Sequence, residues 1–191
     1  MGPTLTPRYK VNTDAAVFSN LKAIRIGVVI CDHEGSVIAA LSKHLPLPLG
    51  PLEAEAKAID KAVLFAWDVG IREAIFETDS SVVSDAIAGY TTPPVSIVDI
   101  TAGILLRLQD FRRTQIQHVR RQANKPAHTL ALHAKGVSDF MIYSSSLKIL
   151  CIMSIFNFTS IFFRGNFILY FFKIFFFSQV FVWFKDGVIL F

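Results

Sequence analysis

The 191-residue chain predicts an α/β domain built on a mixed sheet, and three observations carry that expectation. Three strand-like runs follow one another between Tyr9 and Ser42. One amphipathic helix pattern then covers Leu52 to Val69. Beyond it strand and helix patterns alternate as far as Lys135, and a meander followed by alternation is the order of an α/β sandwich.

The first strand, Tyr9 to Val17, alternates: Val11, Thr13, Ala15 and Val17 fall on one side, Lys10, Asn12, Asp14 and Ala16 on the other. Ile24 to Cys31 is a denser apolar run. The turn Asp32-His33-Glu34-Gly35 joins it to Ser36–Ser42 as a hairpin, with β-branched flanks and a turn glycine. Pro46, Pro48 and Pro51 end the sheet run and lead into the helix Leu52–Val69, stopped by Gly70. Its inner stripe is Ala58, Ile59, Ala62 and Ala66, and Glu55 extends that stripe towards the N-terminus, while Glu53 falls nearer Lys57, Asp60 and Lys61. A short strand at Arg72–Thr78 precedes a short helix at Ser80–Ala88 that Gly89 closes. After Thr91-Thr92-Pro93-Pro94, Ile97, Ile100, Ile104, Leu108 and Phe111 repeat at helical spacing within Val95–Phe111. Thr114–Arg120 is the last strand and Pro126–Lys135 a final helix opened by proline, giving the order βββαβααβα.

Charge is balanced in this part of the chain. Residues 1–140 hold 15 of the 19 Lys and Arg against 14 of the 15 Asp and Glu, so most of the formal +4 comes from the tail. Bulk charge therefore says little about nucleic acid, whereas Arg107, Arg112, Arg113, Arg120, Arg121 and Lys125 form a local basic stretch. Two cysteines, Cys31 and Cys151, make neither a disulfide framework nor a metal-ligand spacing, which points to a reducing compartment. MGPTLTPRYK has no apolar core of a signal peptide, so the domain is expected inside the cell, in nucleus or cytoplasm.

The acids carry the chemistry. Asp14 alone reads equally as a solvent-facing strand residue. Asp79 reads as a cap or first-turn acid for the Ser80 helix, or as a ligand, and Glu77 shares its parity, so the local pattern does not separate the two. Glu55 lies among alanines, where a carboxylate costs free energy unless something pairs with it. If the first strand is central, with the fourth beside it and the helix packed on the sheet, Asp14, Glu55 and Asp79 converge at one rim. Clustered carboxylates repel unless a cation or proton offsets them. Oxygen ligands of this kind suit Mg²⁺ or Mn²⁺ rather than zinc, and two such ions activate a water and stabilise the leaving oxygen of a phosphodiester.

YKVNTDAAV, GVVICDHEGSVIAALSKHL, PLEAEAKAIDKAVLFAWDVGI, EAIFETDSSVVSDAI and HVRRQANKPAHTLALHAKG, in that order, resemble the successive motifs of the ribonuclease H type 1 domain. They are most similar to its plant reverse-transcriptase-like branch, derived from non-LTR retroelements. The resemblance spans about residues 9–137 and implies a ribonuclease H-like fold, a five-stranded mixed sheet of order 3-2-1-4-5 flanked by helices. It implies Asp14, Glu55 and Asp79 as ligands of Mg²⁺, with Mn²⁺ as substitute, and Glu53 and Glu77 as neighbours. The implied activity is cleavage of the RNA strand of an RNA–DNA hybrid, leaving a 3′-hydroxyl and a 5′-phosphate. Two departures bear on it. Asp14-Ala15-Ala16 stands where the family has Asp-Gly-Ala or Asp-Gly-Ser, losing glycine's backbone freedom. His128 occupies the position of the fourth carboxylate; it joins the catalytic set as a group that bonds water or an ion but adds no negative charge while neutral.

Arg112, Arg113, Arg120, Arg121 and Lys125 are expected to contact phosphates near the rim where the His128 helix begins, without base selectivity. Asn12, Thr78, Ser80 and Asn124 are expected to offer hydrogen bonds to a minor groove or to 2′-hydroxyls. His118 and His133 read as surface or scaffold groups. The expected partner is RNA–DNA hybrid or RNA, held by a monomer. The rival reading is a degenerate nuclease fold that binds nucleic acid without cutting it.

Residues 138–148 form a junction, and 149–191 a tail; 13 of the 18 phenylalanines lie from Tyr143 onward. The window 149–172 holds fourteen Ile, Leu and Phe residues, worth roughly −4 to −8 kcal/mol of insertion against about +3 for Arg164. It therefore reads as a transmembrane segment or as translated non-coding sequence, and membrane contact is expected only there.

Overall fold

The computed structural model describes residues 9–133 and the strands at 140–144, 160–163, 167–170, 181–184 and 187–190. Its first nine elements follow the expected order: β1 (Tyr9–Phe18), β2 (Ala23–Cys31), β3 (Val37–Leu45), α1 (Pro51–Asp68), β4 (Glu73–Thr78), α2 (Ser81–Ala88), α3 (Val98–Leu108), β5 (Arg113–His118) and α4 (Lys125–His133). β1 pairs antiparallel with β2 and parallel with β4, and β5 extends β4 in parallel, so the order β3-β2-β1-β4-β5 puts β1 at the centre. This is the ribonuclease H fold.

Three further strands lengthen the sheet at its β3 edge. β6 (Phe140–Ser144) pairs antiparallel with β3, and β7 (Ser160–Phe163) and β8 (Phe167–Tyr170) continue outward, so the expected five strands keep their order within a sheet of eight. β9 (Phe181–Phe184) and β10 (Gly187–Leu190) form a separate two-stranded sheet. The expected spanning window 149–172 thus contributes two described strands, and its remaining residues lie outside the described set. Among the described residues no helix is long and apolar enough to cross a membrane.

The parity of β1 decides which helix covers which face. Val11 lies opposite Ile30 and shares one buried cluster with Ile24, Ile26, Val28 and the α1 residues Ala58, Ile59, Ala62 and Ala66, all 0% exposed. The α1 stripe is therefore the one its spacing predicts. The other face of β1 is not solvent: α4 lies across β1, β2 and β3 there. Gly27 stands opposite Asp14 and Ser42 on that face. A side chain at Gly27 would overlap the carbonyl of Ala127 and the amide of Ala131, so glycine is what lets α4 lie directly on the sheet. The Ser42 hydroxyl then donates to the carbonyl of Leu130 at 2.9 Å.

α3 begins at Val98, because a 3₁₀ turn takes Val95–Ile97, and it ends at Leu108. It packs on α1 through an ion cluster that the helical wheel misses. Asp60, which lies off the inner stripe with Lys57 and Lys61, is 3% exposed; Lys57 Nζ lies 2.8 Å and Arg107 Nη1 2.7 Å from its two oxygens, with Lys61 Nζ at 3.6 Å. Arg107 is thereby committed to α1 and leaves the basic stretch. In the turns the expected glycines do their work at positive φ: Gly35 (φ +82°) closes the β2–β3 hairpin and Gly89 (φ +80°) ends α2.

Candidate metal centre

Asp14, Glu55 and Asp79 each offer a carboxylate oxygen, and these atoms all lie within 4.8 Å of one another. Topology brings them together. The β1–β4 ladder ends at the pair Asn12–Glu77, two residues short of Asp14 and Asp79, and the strands part there. Ala15, one residue further, donates its backbone N–H to the Glu55 carboxylate, which reaches the gap from α1. Asp79 does not cap α2: the N-cap position is Ser80, whose backbone N–H bonds Thr78 Oγ1 at 3.2 Å.

The cluster holds excess negative charge in little water. Burial pushes the Glu55 carboxyl up to about 8, and the charges of Asp14 and Asp79 push it the same way. Burial likewise raises Asp14 to about 6, although the bond from His128 pulls it down. Glu55 Oε2 is buried with no hydrogen-bond partner, an arrangement that leaves an acceptor without compensation. Three such carboxylates, one with an orphaned oxygen, are a donor set that fits a hard divalent cation.

His128 closes the site from α4: its Nδ1 lies 2.8 Å from Asp14 Oδ2, and its side chain is 31% exposed. Arg121 Nε lies 3.8 Å from Asp79 Oδ2 at the solvent edge. Arg120 and Lys125 are exposed beside it. Arg112 and Arg113 are exposed too, but they stand at the opposite end of the sheet. β5 runs parallel to β4, with Arg113 opposite Glu73 and His118 opposite Thr78, so about 16 Å of strand separates them from the acid rim. Their expected place at that rim is corrected accordingly.

Three of the four expected hydrogen-bonding residues turn inward instead. Thr78 and Asn124 are 0% exposed. Asn124 Nδ2 donates to the carbonyl of Thr13 at 2.9 Å and to Asp79 Oδ1 at 3.4 Å. Asn12 Nδ2 donates to Glu77 Oε2 at 2.9 Å and to Asn124 Oδ1 at 3.4 Å. Ser80 is half-buried, and its side chain makes no cap bond to α2. Glu77, inseparable from Asp79 by pattern, sits apart from the cluster: Gln117 Nε2 donates to its Oε1 at 3.0 Å and Lys10 Nζ lies 3.6 Å from the same oxygen. This row went unseen in the sequence because its hydrogen-bonded partners are 40 to 112 residues apart. Of the remaining histidines, His118 is exposed at the end of β5.

Comparison with known proteins agrees with this architecture. A family profile described as reverse transcriptase-like matches residues 12–134. No curated protein matches. Among solved structures, RNase H1 of the halophilic archaeon Halobacterium salinarum is similar at 24% identity with a TM-score of 0.63, covering 67% of this chain and 97% of its own. LC11-RNase H1 in complex with an RNA/DNA hybrid is 20% identical with a TM-score of 0.58, over 66% of this chain and 95% of that one. A foamy viral protease-reverse transcriptase in complex with an RNA/DNA hybrid is 18% identical with a TM-score of 0.54, over 71% of this chain and 21% of that one.

Proposed function

The chain belongs to the reverse transcriptase-like family, and from that premise we propose that it is a metal-dependent endonuclease that hydrolyses the RNA strand of RNA–DNA hybrids. The observation that carries the reading is the gathering of three carboxylates within 4.8 Å, one with a buried and unpartnered oxygen. The fold, shared with ribonuclease H1 structures of which one is bound to a hybrid, supports the substrate class.

In this reading Asp14, Glu55 and Asp79 would hold a pair of Mg²⁺ ions, or Mn²⁺ in their place, which would supply an activated water and stabilisation of charge on the leaving oxygen of the phosphodiester. The protein's own groups do the rest. Burial of the acids keeps competing water out and strengthens their attraction for a cation. Arg120, Arg121 and Lys125 draw the phosphate backbone to the rim and carry no base information. His128 holds one oxygen of Asp14 through Nδ1 and so orients the carboxylate. The products are a 3′-hydroxyl and a 5′-phosphate.

One observation favours a second reading, nucleic-acid binding without cleavage. His128 bonds one Asp14 oxygen at 2.8 Å and so uses one of its lone pairs, and the imidazole brings no negative charge of its own. Cleavage of a labelled hybrid in Mg²⁺ and in Mn²⁺ decides between them. The nuclease cuts the hybrid's RNA strand, Asp14→Asn lowers the rate by at least about 100-fold, beyond the usual loss on removing a partner of a ligand, and His128→Asp raises it. Salt-sensitive binding with no cleavage by the wild type in either metal sinks the nuclease reading.

A further inference from the structure

We infer that Glu77 is a positioning residue for the acid cluster, acting through Asn12 and Asn124 to help set the side chain of Asp79. The inference deepens the metal-site reading above and rests on it for its consequence. Gln117, Glu77 and Asn12 are direct ladder partners on three adjacent strands, so their side chains form one polar row beneath the rim. Glu77 is 5% exposed and Asn124 0%.

The direction of each bond follows from the carboxylate. Glu77 has acceptors only, so both side-chain amides beside it must turn their NH₂ groups towards it. Gln117 does so at 3.0 Å and Asn12 at 2.9 Å. The same NH₂ of Asn12 has a second hydrogen, which meets Asn124 Oδ1 at 3.4 Å. Asn124 is then left with its own NH₂ facing the other way, onto the Thr13 carbonyl at 2.9 Å and Asp79 Oδ1 at 3.4 Å. Reversing any amide in this relay would set two oxygens against each other. Glu77 thereby acts with the Thr13 carbonyl to keep an N–H of Asn124, and not its carbonyl, towards Asp79. The main-chain carbonyl of Asn124 separately accepts the backbone N–H of His128 at 3.1 Å, the ordinary first-turn bond of α4.

Glu77→Gln keeps the volume and removes the acceptor-only character, so one neighbouring amide loses its fixed sense. Two readouts test the consequence: the side-chain NH₂ resonances of Asn124 in metal-free protein, and the affinity for Mg²⁺ and Mn²⁺ alone by calorimetry. We expect Glu77→Gln to shift the Asn124 resonances and hasten their solvent exchange, and to weaken cation binding about 10-fold, the lower range for partners of a ligand. Asn12→Ser breaks the relay one step on, leaving the Glu77 carboxylate in place but without this donor, and carries the same expectation should Glu77→Gln fold poorly. Ile30→Val, which thins the core away from the polar row, leaves both readouts unchanged. Asn124 resonances in Glu77→Gln and Asn12→Ser that match the wild type overturn the inference. If the wild type itself binds neither cation, the metal reading fails, and the Asn124 resonances still decide the relay.

Discussion

At the scale of single residues, the weight of the site falls on Glu55 and Asp14, whose carboxyls burial lifts to about 8 and about 6 from ordinary values of 4.5 and 3.8. The folded state therefore holds protons that the unfolded chain releases. That contribution is complete below about pH 4, is lost as pH rises through 6 for Asp14 and through 8 for Glu55, and predicts a falling melting temperature over that window in chelator. Added Mg²⁺ should flatten the fall, because a bound cation offsets the charge, and Glu55→Gln should abolish its upper half. A melting temperature that is level from pH 5 to 8 in chelator would contradict the burial of these charges. Asp14, Glu55 and Asp79 were legible as candidates because an acid on an apolar stripe or at a strand end is locally odd. Glu77 against Asp79 was not, since the two share parity and differ only in which distant side chains meet them.

At the scale of elements, α1 was readable to within a residue at each end, from a local period of alanines and isoleucine bounded by proline and glycine. α4 was readable as a helix, yet its seat was not. That seat depends on Gly27, which in the sequence is one small residue within an apolar strand. Gly27→Ala should destabilise the domain by about 1–3 kcal/mol, as overpacking does, and should disturb the His128–Asp14 contact, since the helix backbone must withdraw from the added methyl. Chemical denaturation and the His128 ring resonances measure the two effects; a variant of wild-type stability would mean that α4 has room the geometry denies it. Asp60 teaches the same lesson. On the wheel of α1 it is an outer acid, and only the arrival of α3 with Arg107 buries it in an ion cluster.

At the scale of the molecule, the basic stretch divides. Arg107 pairs within the core helices, Arg112 and Arg113 stand at the far end of β5, and Arg121 remains beside Asp79, with exposed Arg120 and Lys125 near it in the chain. Hybrid binding should therefore show a modest salt dependence, with a log–log slope of about −2 to −3 for three phosphate contacts. Arg121→Ala should reduce that slope by about 1 and Arg112→Ala by much less. Equal effects of the two substitutions would refute this division of the surface. The order of strands and helices and the α1 stripe were determined by the sequence alone, because hydrophobic period and turn chemistry act between near neighbours, and the acids were legible there only as candidates. Tertiary structure alone decided that α4 covers the second face of β1, that His128 bonds Asp14 across 114 residues, that Asn12, Thr78 and Asn124 serve the interior, and that Arg112 and Arg113 lie away from the rim. Those outcomes turn on strand direction, register and backbone approach between segments far apart in the chain, and no local pattern of residues encodes such distances.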